Sequence, residues 1–271
     1  MEKWVAVGGG ITSCVQEFGD LGAPLMIHIE GHGAQLISVP ESYCQRLAQA
    51  GFQVIRFDNR DVGRSSRAPF PYDLRDMAND VAALIANYGS PAVVTGRSMG
   101  GAIAQLLALE HPEMVAGLGL FFTYAKSAAS SVNPIRQAPY GSASEFKKWH
   151  FQQISKIAGS QYPWGQRQLT ALVASCWRRG FSWEGLERQR QAMERTRPWA
   201  KRLEEIKVPV SIVHGEEDRV IPVSAGKQLH RLIPQSRLHL VPGMGHQQPP
   251  QAEELFIRAT LEAAGQQPLS C

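Results

Sequence analysis

Short apolar runs alternate with longer segments of helical period along most of this chain. Leu25, Met26, Ile27, His28 and Ile29 form a nearly continuous apolar run that stops at Gly31, the pattern of a strand covered on both faces. Similar runs at 52–57, 92–95, 118–122, 210–213 and 238–241 predict further strands. Helical periodicity over 42–50, 74–88 and 102–110 fills the intervals between the earlier ones. Strand and helix in alternation predict parallel strands joined by helical crossovers, so a mostly parallel central sheet flanked by helices. Residues 4–7 and 13–18, separated by Gly8-Gly9-Gly10, predict an antiparallel pair at one edge.

The alternation breaks between Tyr124 and Lys201, where no strand pattern is visible. Five of the six tryptophans, Trp149, Trp164, Trp177, Trp183 and Trp199, fall in this stretch. From Lys147 to Arg202 there are 12 Lys or Arg against 3 Glu, a local net charge of +9 that leaves the rest of the chain at −5. The expected organisation is a core made of 1–123 and 202–271 with an inserted helical cap at 124–201. Amphipathic helices with solvated cations and a Trp-bearing inner face account for the composition. A large apolar pocket with a positive entrance is the functional reading, suited to an acidic substrate or an acidic acyl-carrier protein as partner.

Length and composition add limits. A chain of 271 residues with 44% hydrophobic positions can bury one large core or a core with an insert. A formal net charge of +4 without a binding motif gives no footing for a nucleic-acid partner. No run approaches the roughly 18 apolar residues of a membrane span, and the first ten residues lack the apolar stretch of a signal peptide. Cys14, Cys44, Cys176 and Cys271 are scattered without zinc or redox spacing, so reduced thiols and a cytoplasmic location are expected. His28-Ile29-Glu30-Gly31-His32 lacks the helical i, i+4 pairing of a zinc site, and the glycine run at Gly8 has no phosphate-loop spacing; neither a metal nor a cofactor is expected.

The chemistry lies in Gly96-Arg97-Ser98-Met99-Gly100, a GxSxG at the junction of a predicted strand and a predicted helix. Small flanking residues permit a sharp, strained turn there that exposes the serine hydroxyl and aims the helix N-terminus at developing negative charge. A serine needs an adjacent base to attack a carbonyl. His246, in the loop Pro242-Gly243-Met244-Gly245 after the last predicted strand, is the candidate base. Asp218, in a loop after the preceding strand, is the candidate acid, with Glu216 and Glu217 as neighbouring competitors. No Asp or Glu closely follows the strand ending at Phe122, which removes another location for the acid. The order Ser98, Asp218, His246 is the chain order of a nucleophile-elbow hydrolase. Two backbone amides must face the oxyanion: Met99, after the nucleophile, and His32, in the loop after the first central strand, with Ala34 as the alternative register.

Asp58-Asn59-Arg60-Asp61-Val62-Gly63-Arg64-Ser65, together with the elbow and the Gly-Met-Gly-His loop, resembles the α/β-hydrolases related to aclacinomycin methylesterase. The likeness runs over about 19–124 and from 203 to the end; the insert has no recognisable counterpart. The resemblance implies the α/β-hydrolase fold, an esterase-type triad on Ser98, Asp218 and His246, and a structural role for the turn bearing Asp58 and Asp61. Two departures stand out: Arg97 where relatives often carry a smaller or uncharged residue, and Glu30 where many relatives of the wider superfamily have histidine. A local Glu30–Arg97 ion pair and ordinary solvation of Arg97 are the two expectations. The expected activity is hydrolysis of a carboxylic ester of a small or medium-sized molecule through an acyl-enzyme. Thioester hydrolysis, cofactor-free perhydrolase or haloperoxidase-like chemistry, a non-hydrolytic lyase or cyclase, and ligand binding without turnover are the alternatives on the same fold.

Overall fold

The computed structural model describes residues 1–89, 91–127 and 142–266. Residues 128–141 of the predicted insert and Cys271 therefore lie outside the described residues. Eight strands, β1 (Glu2–Gly8), β2 (Ile11–Phe18), β3 (Leu25–Ile29), β4 (Gln53–Phe57), β5 (Ala92–Arg97), β6 (Val115–Phe121), β7 (Val210–Gly215) and β8 (Arg237–Val241), form one sheet in the order β1-β2-β4-β3-β5-β6-β7-β8. The β1–β2 and β2–β4 pairs are antiparallel and the other five are parallel.

Among the described residues the helices are α1 (Glu41–Gln49), α2 (Leu74–Tyr88), α3 (Met99–Glu110), α4 (Ala143–Ile157), α5 (Gln166–Arg179), α6 (Trp183–Arg195), α7 (Val223–Leu232) and α8 (Glu253–Ala263). Period-two alternation sends β3 side chains to opposite faces of the sheet. Met26 packs in one cluster with Tyr43, Cys44 and Leu47 of α1 and Phe256 and Ile257 of α8. Leu25, Ile27 and Ile29 join the other cluster, built with α2, α3 and α7. Both faces are covered, which is why the central strands read as continuous apolar runs rather than alternating ones.

Two elements extend further than their patterns suggest. Helix α3 begins at Met99 rather than near Ala102, because Gly100 and Gly101, poor helix formers, occupy its first turn for steric reasons. Strand β6 begins at Val115, its apolar run interrupted in sequence by Gly117 and Gly119. Helix α2 is bounded as expected: Asp73 and Asp76 form a reciprocal capping box, and Gly89 takes a left-handed conformation at the end.

The turn after β4 is fastened to α2 by a buried ion pair. Arg60 Nε and Nη2 donate to Asp80 Oδ2 and Oδ1 at 2.6 and 2.7 Å, a bidentate fork. Removing one partner strands the other charge away from water. Asp80→Ala is therefore expected to lower unfolding free energy by about 3 kcal/mol, read as a reduced urea midpoint at unchanged slope. A loss below about 1 kcal/mol, the range of exposed pairs, would show that Arg60 finds water instead.

Candidate active site

Ser98 sits between β5 and α3 with φ 53° and ψ −120°, a left-handed conformation that strains a residue carrying a Cβ. Packing holds it there. The Ser98 amide donates to the Phe121 carbonyl at 3.1 Å, and its carbonyl accepts from the Gly101 amide at 3.0 Å and the Thr123 hydroxyl at 2.6 Å. Glycine is required on both sides of the turn. A Cβ at Gly96 would strike the Gly100 carbonyl, and one at Gly100 would strike the Ile29 carbonyl at the end of β3. The closeness of β3, β5 and α3 thus explains the GxSxG spacing, and the Ser98 side chain is left half-buried at the rim of a cavity.

The Asp218 and His246 side chains meet across loops that follow β7 and β8. His246 Nδ1 donates to Asp218 Oδ2 at 2.7 Å, while Asp218 Oδ1 accepts the Val220 and Ile221 amides, each at 2.8 Å. The carboxylate is fully buried, so these bonds do the work of its lost hydration. The imidazole is held from its other sides by the Phe122 ring, edge-on at 4.9 Å, and by its own amide, which donates to Ile157 at the end of α4 at 2.8 Å. His246 and Ser98 line the same cavity. Glu217, a competitor for the acid position in sequence, instead accepts the Ser160 amide and hydroxyl at 2.8 and 2.6 Å.

Neighbours invisible to motif reading complete this corner. His214 Nε2 donates to the Ile221 carbonyl at 2.9 Å and lies 3.5 Å from Asp218 Oδ2. Burial pulls the His214 pKa down, so the ring adds no charge beside the carboxylate at neutral pH. Phe122, whose ring packs on His246, has φ 37°, a second strained residue in this corner. Only the HxxxD spacing of His214 and Asp218 could have hinted at their contact; nothing in the sequence marks Phe122 or Thr123.

The loop after β3 lies against Ser98. A Cβ on Gly31 would come within 3.2 Å of Ser98 Cβ, so the backbone there touches the serine. Three amides of this loop already have acceptors: Gly31 donates to Glu30 Oε2 at 3.1 Å, Gly33 to Gln189 Oε1 at 2.8 Å, and Ala34 to the Gly31 carbonyl at 3.2 Å. The Ala34 register is thereby disfavoured, whereas the His32 amide has no acceptor among the described residues. The His32 side chain points elsewhere, its Nε2 donating to the Leu186 carbonyl of α6 at 2.7 Å. Arg97 does pair with Glu30: Nη2 contacts Oε1, and Nε donates to Oε2 at 3.2 Å. Burial lowers the Arg97 pKa to about 9, still above neutrality, so at pH 7 a cation faces the carboxylate.

Helices α4, α5 and α6 stand over this cluster and enclose a cavity of about 400 Å³. Its walls include Phe122, Trp149, Ile154, Trp164, Phe181 and Leu186, the mainly apolar lining usual for small-molecule pockets. His150 also lines it, and burial lowers that imidazole's pKa to about 4, so it is neutral at pH 7. Helices α5 and α6 are tied to the Asp58–Ser65 turn by charge pairs. Arg179 contacts Asp58 at 2.5 Å and Arg188 contacts Asp61 at 2.6 Å, so both aspartates are committed to structure. Cys14, Cys44 and Cys176 are free and buried. Among the described residues no group of His, Cys, Asp and Glu is arranged to hold a metal, and no helix is long and apolar enough to cross a membrane.

Comparison with known proteins agrees with this architecture. The sequence profile of the family described as serine aminopeptidase, S33, matches residues 26–249. Rhodomycin D methylesterase DauP of Streptomyces sp. (strain C5) is 44% identical over 95 residues, which span 34% of this chain and only 32% of that protein. A non-heme haloperoxidase of Rhodococcus erythropolis is 27% identical over 267 residues, 90% of this chain and 92% of the relative. In fold, the enol-lactonase from Burkholderia xenovorans LB400 superposes with a TM-score of 0.80 at 19% identity, covering 97% of this chain and 100% of the other. With the family profile spanning most of its length, the chain belongs to the serine aminopeptidase, S33, family and is an enzyme of the α/β-hydrolase superfamily.

Proposed function

We propose that this protein cleaves a carboxylic ester of a small or medium-sized organic molecule through an acyl-enzyme on Ser98. The observation that carries the proposal is the His246–Asp218 hydrogen bond of 2.7 Å, on the cavity that Ser98 rims. With Nδ1–H committed to the carboxylate, the lone pair of His246 is on Nε2, the tautomer a general base needs. His246 takes the Ser98 proton as Oγ attacks the ester carbonyl, then passes it to the departing alcohol. A water activated by the same nitrogen hydrolyses the acyl-enzyme. Asp218 holds the imidazole in register and stabilises the imidazolium in both steps. The His32 and Met99 amides receive the charge that develops on the carbonyl oxygen.

The pocket supports a substrate with an uncharged apolar group. Its walls are aromatic and aliphatic, Arg97 is neutralised by Glu30, and His150 is uncharged at pH 7. The methylesterase relative supports an ester as the scissile bond, although its match covers a third of each chain. The haloperoxidase relative, matched over 90% of this chain, favours a second reading in which hydrogen peroxide replaces water and the acyl-enzyme yields a peracid. Free, buried cysteines support a reducing, cytoplasmic location.

Active-site labelling tests the core of the proposal. Folded protein treated with a fluorophosphonate is expected to gain one adduct, mapped to Ser98. An unlabelled folded protein would overturn the activated-serine reading. Turnover of p-nitrophenyl butyrate with and without added peroxide then separates hydrolysis from perhydrolysis.

A further inference from the structure

Glu30 and Arg97 are both buried at the junction of three active-site loops. Arg97 immediately precedes the nucleophile. Its guanidinium spans from Glu30, after β3, to Gln248, two residues beyond His246, where Nη1 lies 3.4 Å from Oε1. Glu30 uses both carboxylate oxygens. Oε1 pairs with Arg97 Nη2, while Oε2 accepts Arg97 Nε at 3.2 Å and the Gly31 amide at 3.1 Å. Its carbonyl is held by Asn59 Nδ2 at 3.0 Å. The Glu30–Gly31 peptide is therefore held at both its carbonyl and its amide, and Gly31 rests against Ser98.

We infer that the Glu30–Arg97 pair is a positioning device that holds the Gly31–His32 peptide in the oxyanion-binding orientation. The inference rests on the serine-hydrolase reading above. Gly31 has no side chain to lock its torsions; its carbonyl accepts the Ala34 amide, and the direction of the peptide that follows then depends on a second restraint, on the peptide before it. Glu30 supplies that restraint, and Arg97 fixes Glu30 to the turn that carries the nucleophile. Both donors of the hole, His32 and Met99, are thus referenced to one ion pair. Preorganised donors contribute to the transition state because they need no reorientation when charge develops. Pairing also removes a free cation from the cavity, so the pair itself is not a carboxylate-binding site.

The test is the double variant Glu30→Met/Arg97→Met, because replacing a buried ion pair by apolar side chains of similar size keeps the fold, whereas a single change leaves an unpaired buried charge. With p-nitrophenyl butyrate, kcat is expected to fall about 100-fold, the loss seen when one oxyanion donor is removed, with KM within about twofold. Affinity for benzeneboronic acid, which forms a tetrahedral adduct on serine, falls by a similar factor while the melting temperature is retained. A folded double variant with wild-type kcat and boronate affinity overturns the inference. If the double variant melts early, Arg97→Lys, which keeps the charge but loses the fork, replaces it and is held to the same kcat and boronate criteria. Wild-type protein without fluorophosphonate labelling at Ser98 would instead sink the underlying hydrolase reading, so the two failures are distinguishable.

Discussion

Ser98→Ala is expected to abolish ester turnover, with kcat falling on the order of 10⁵-fold or more. That loss corresponds to about 7 kcal/mol of transition-state stabilisation. No other hydroxyl can take over, because the position combines the strained turn, the helix N-terminus and the cavity rim in one residue. Folding should survive, since alanine and serine meet the same backbone penalty at φ 53°. Ser98→Gly is a useful control. It is equally inactive but relieves a strain of about 1 kcal/mol or more, so it should melt above Ser98→Ala. Steady-state kinetics and thermal melts on the three proteins check both halves. Turnover of the true substrate by Ser98→Ala would rule out an acyl-enzyme and favour the lyase or cyclase alternatives.

Asp218→Asn should cost about 10⁴-fold in kcat with the geometry intact. The amide oxygen can still accept from the Val220 and Ile221 amides, which bind Asp218 Oδ1, so the loop keeps its shape. What changes is the face toward His246. An NH₂ group there cannot accept the Nδ1 proton, so the imidazole is driven to the opposite tautomer and loses its free Nε2 lone pair. Glu217→Gln, at a carboxylate that accepts from Ser160 rather than His246, should leave kcat within about twofold, as expected of a surface change. Equal losses in the two variants would show that the loop as a whole, and not the carboxylate of Asp218, supports turnover.

Some properties of the segment that carries α4, α5 and α6 could not have been anticipated. Its tryptophans and basic residues were visible as composition, and the structure sorts them by contact. Arg179 and Arg188 face inward to Asp58 and Asp61, whereas Trp149 and Trp164 line the cavity. The basic character of the segment is thus partly spent on the core, which reduces the charge left for an acidic partner. Gln189 is another case. An unremarkable glutamine in α6, it donates to the Arg60 carbonyl at 2.9 Å and accepts the Gly33 amide, linking the insert to two loops of the core.

The sequence alone determined the order of strands and helices, the mostly parallel sheet, the nucleophile elbow and the chain order of Ser98, Asp218 and His246. Those features rest on short-range physics: side-chain periodicity, the intolerance of a tight turn for anything but small neighbours, and the limited ways strands connect through helices. Tertiary structure alone decided which loop amides remain unpaired, that Asp218 and not Glu217 meets His246, and that Glu30 and Arg97 neutralise each other. Each of those choices involves at least one pair of groups 28 to 156 residues apart in the chain. Their side chains acquire direction only when the sheet brings loop ends together, because hydrogen bonds and ion pairs depend on distances of a few ångströms that no local pattern encodes.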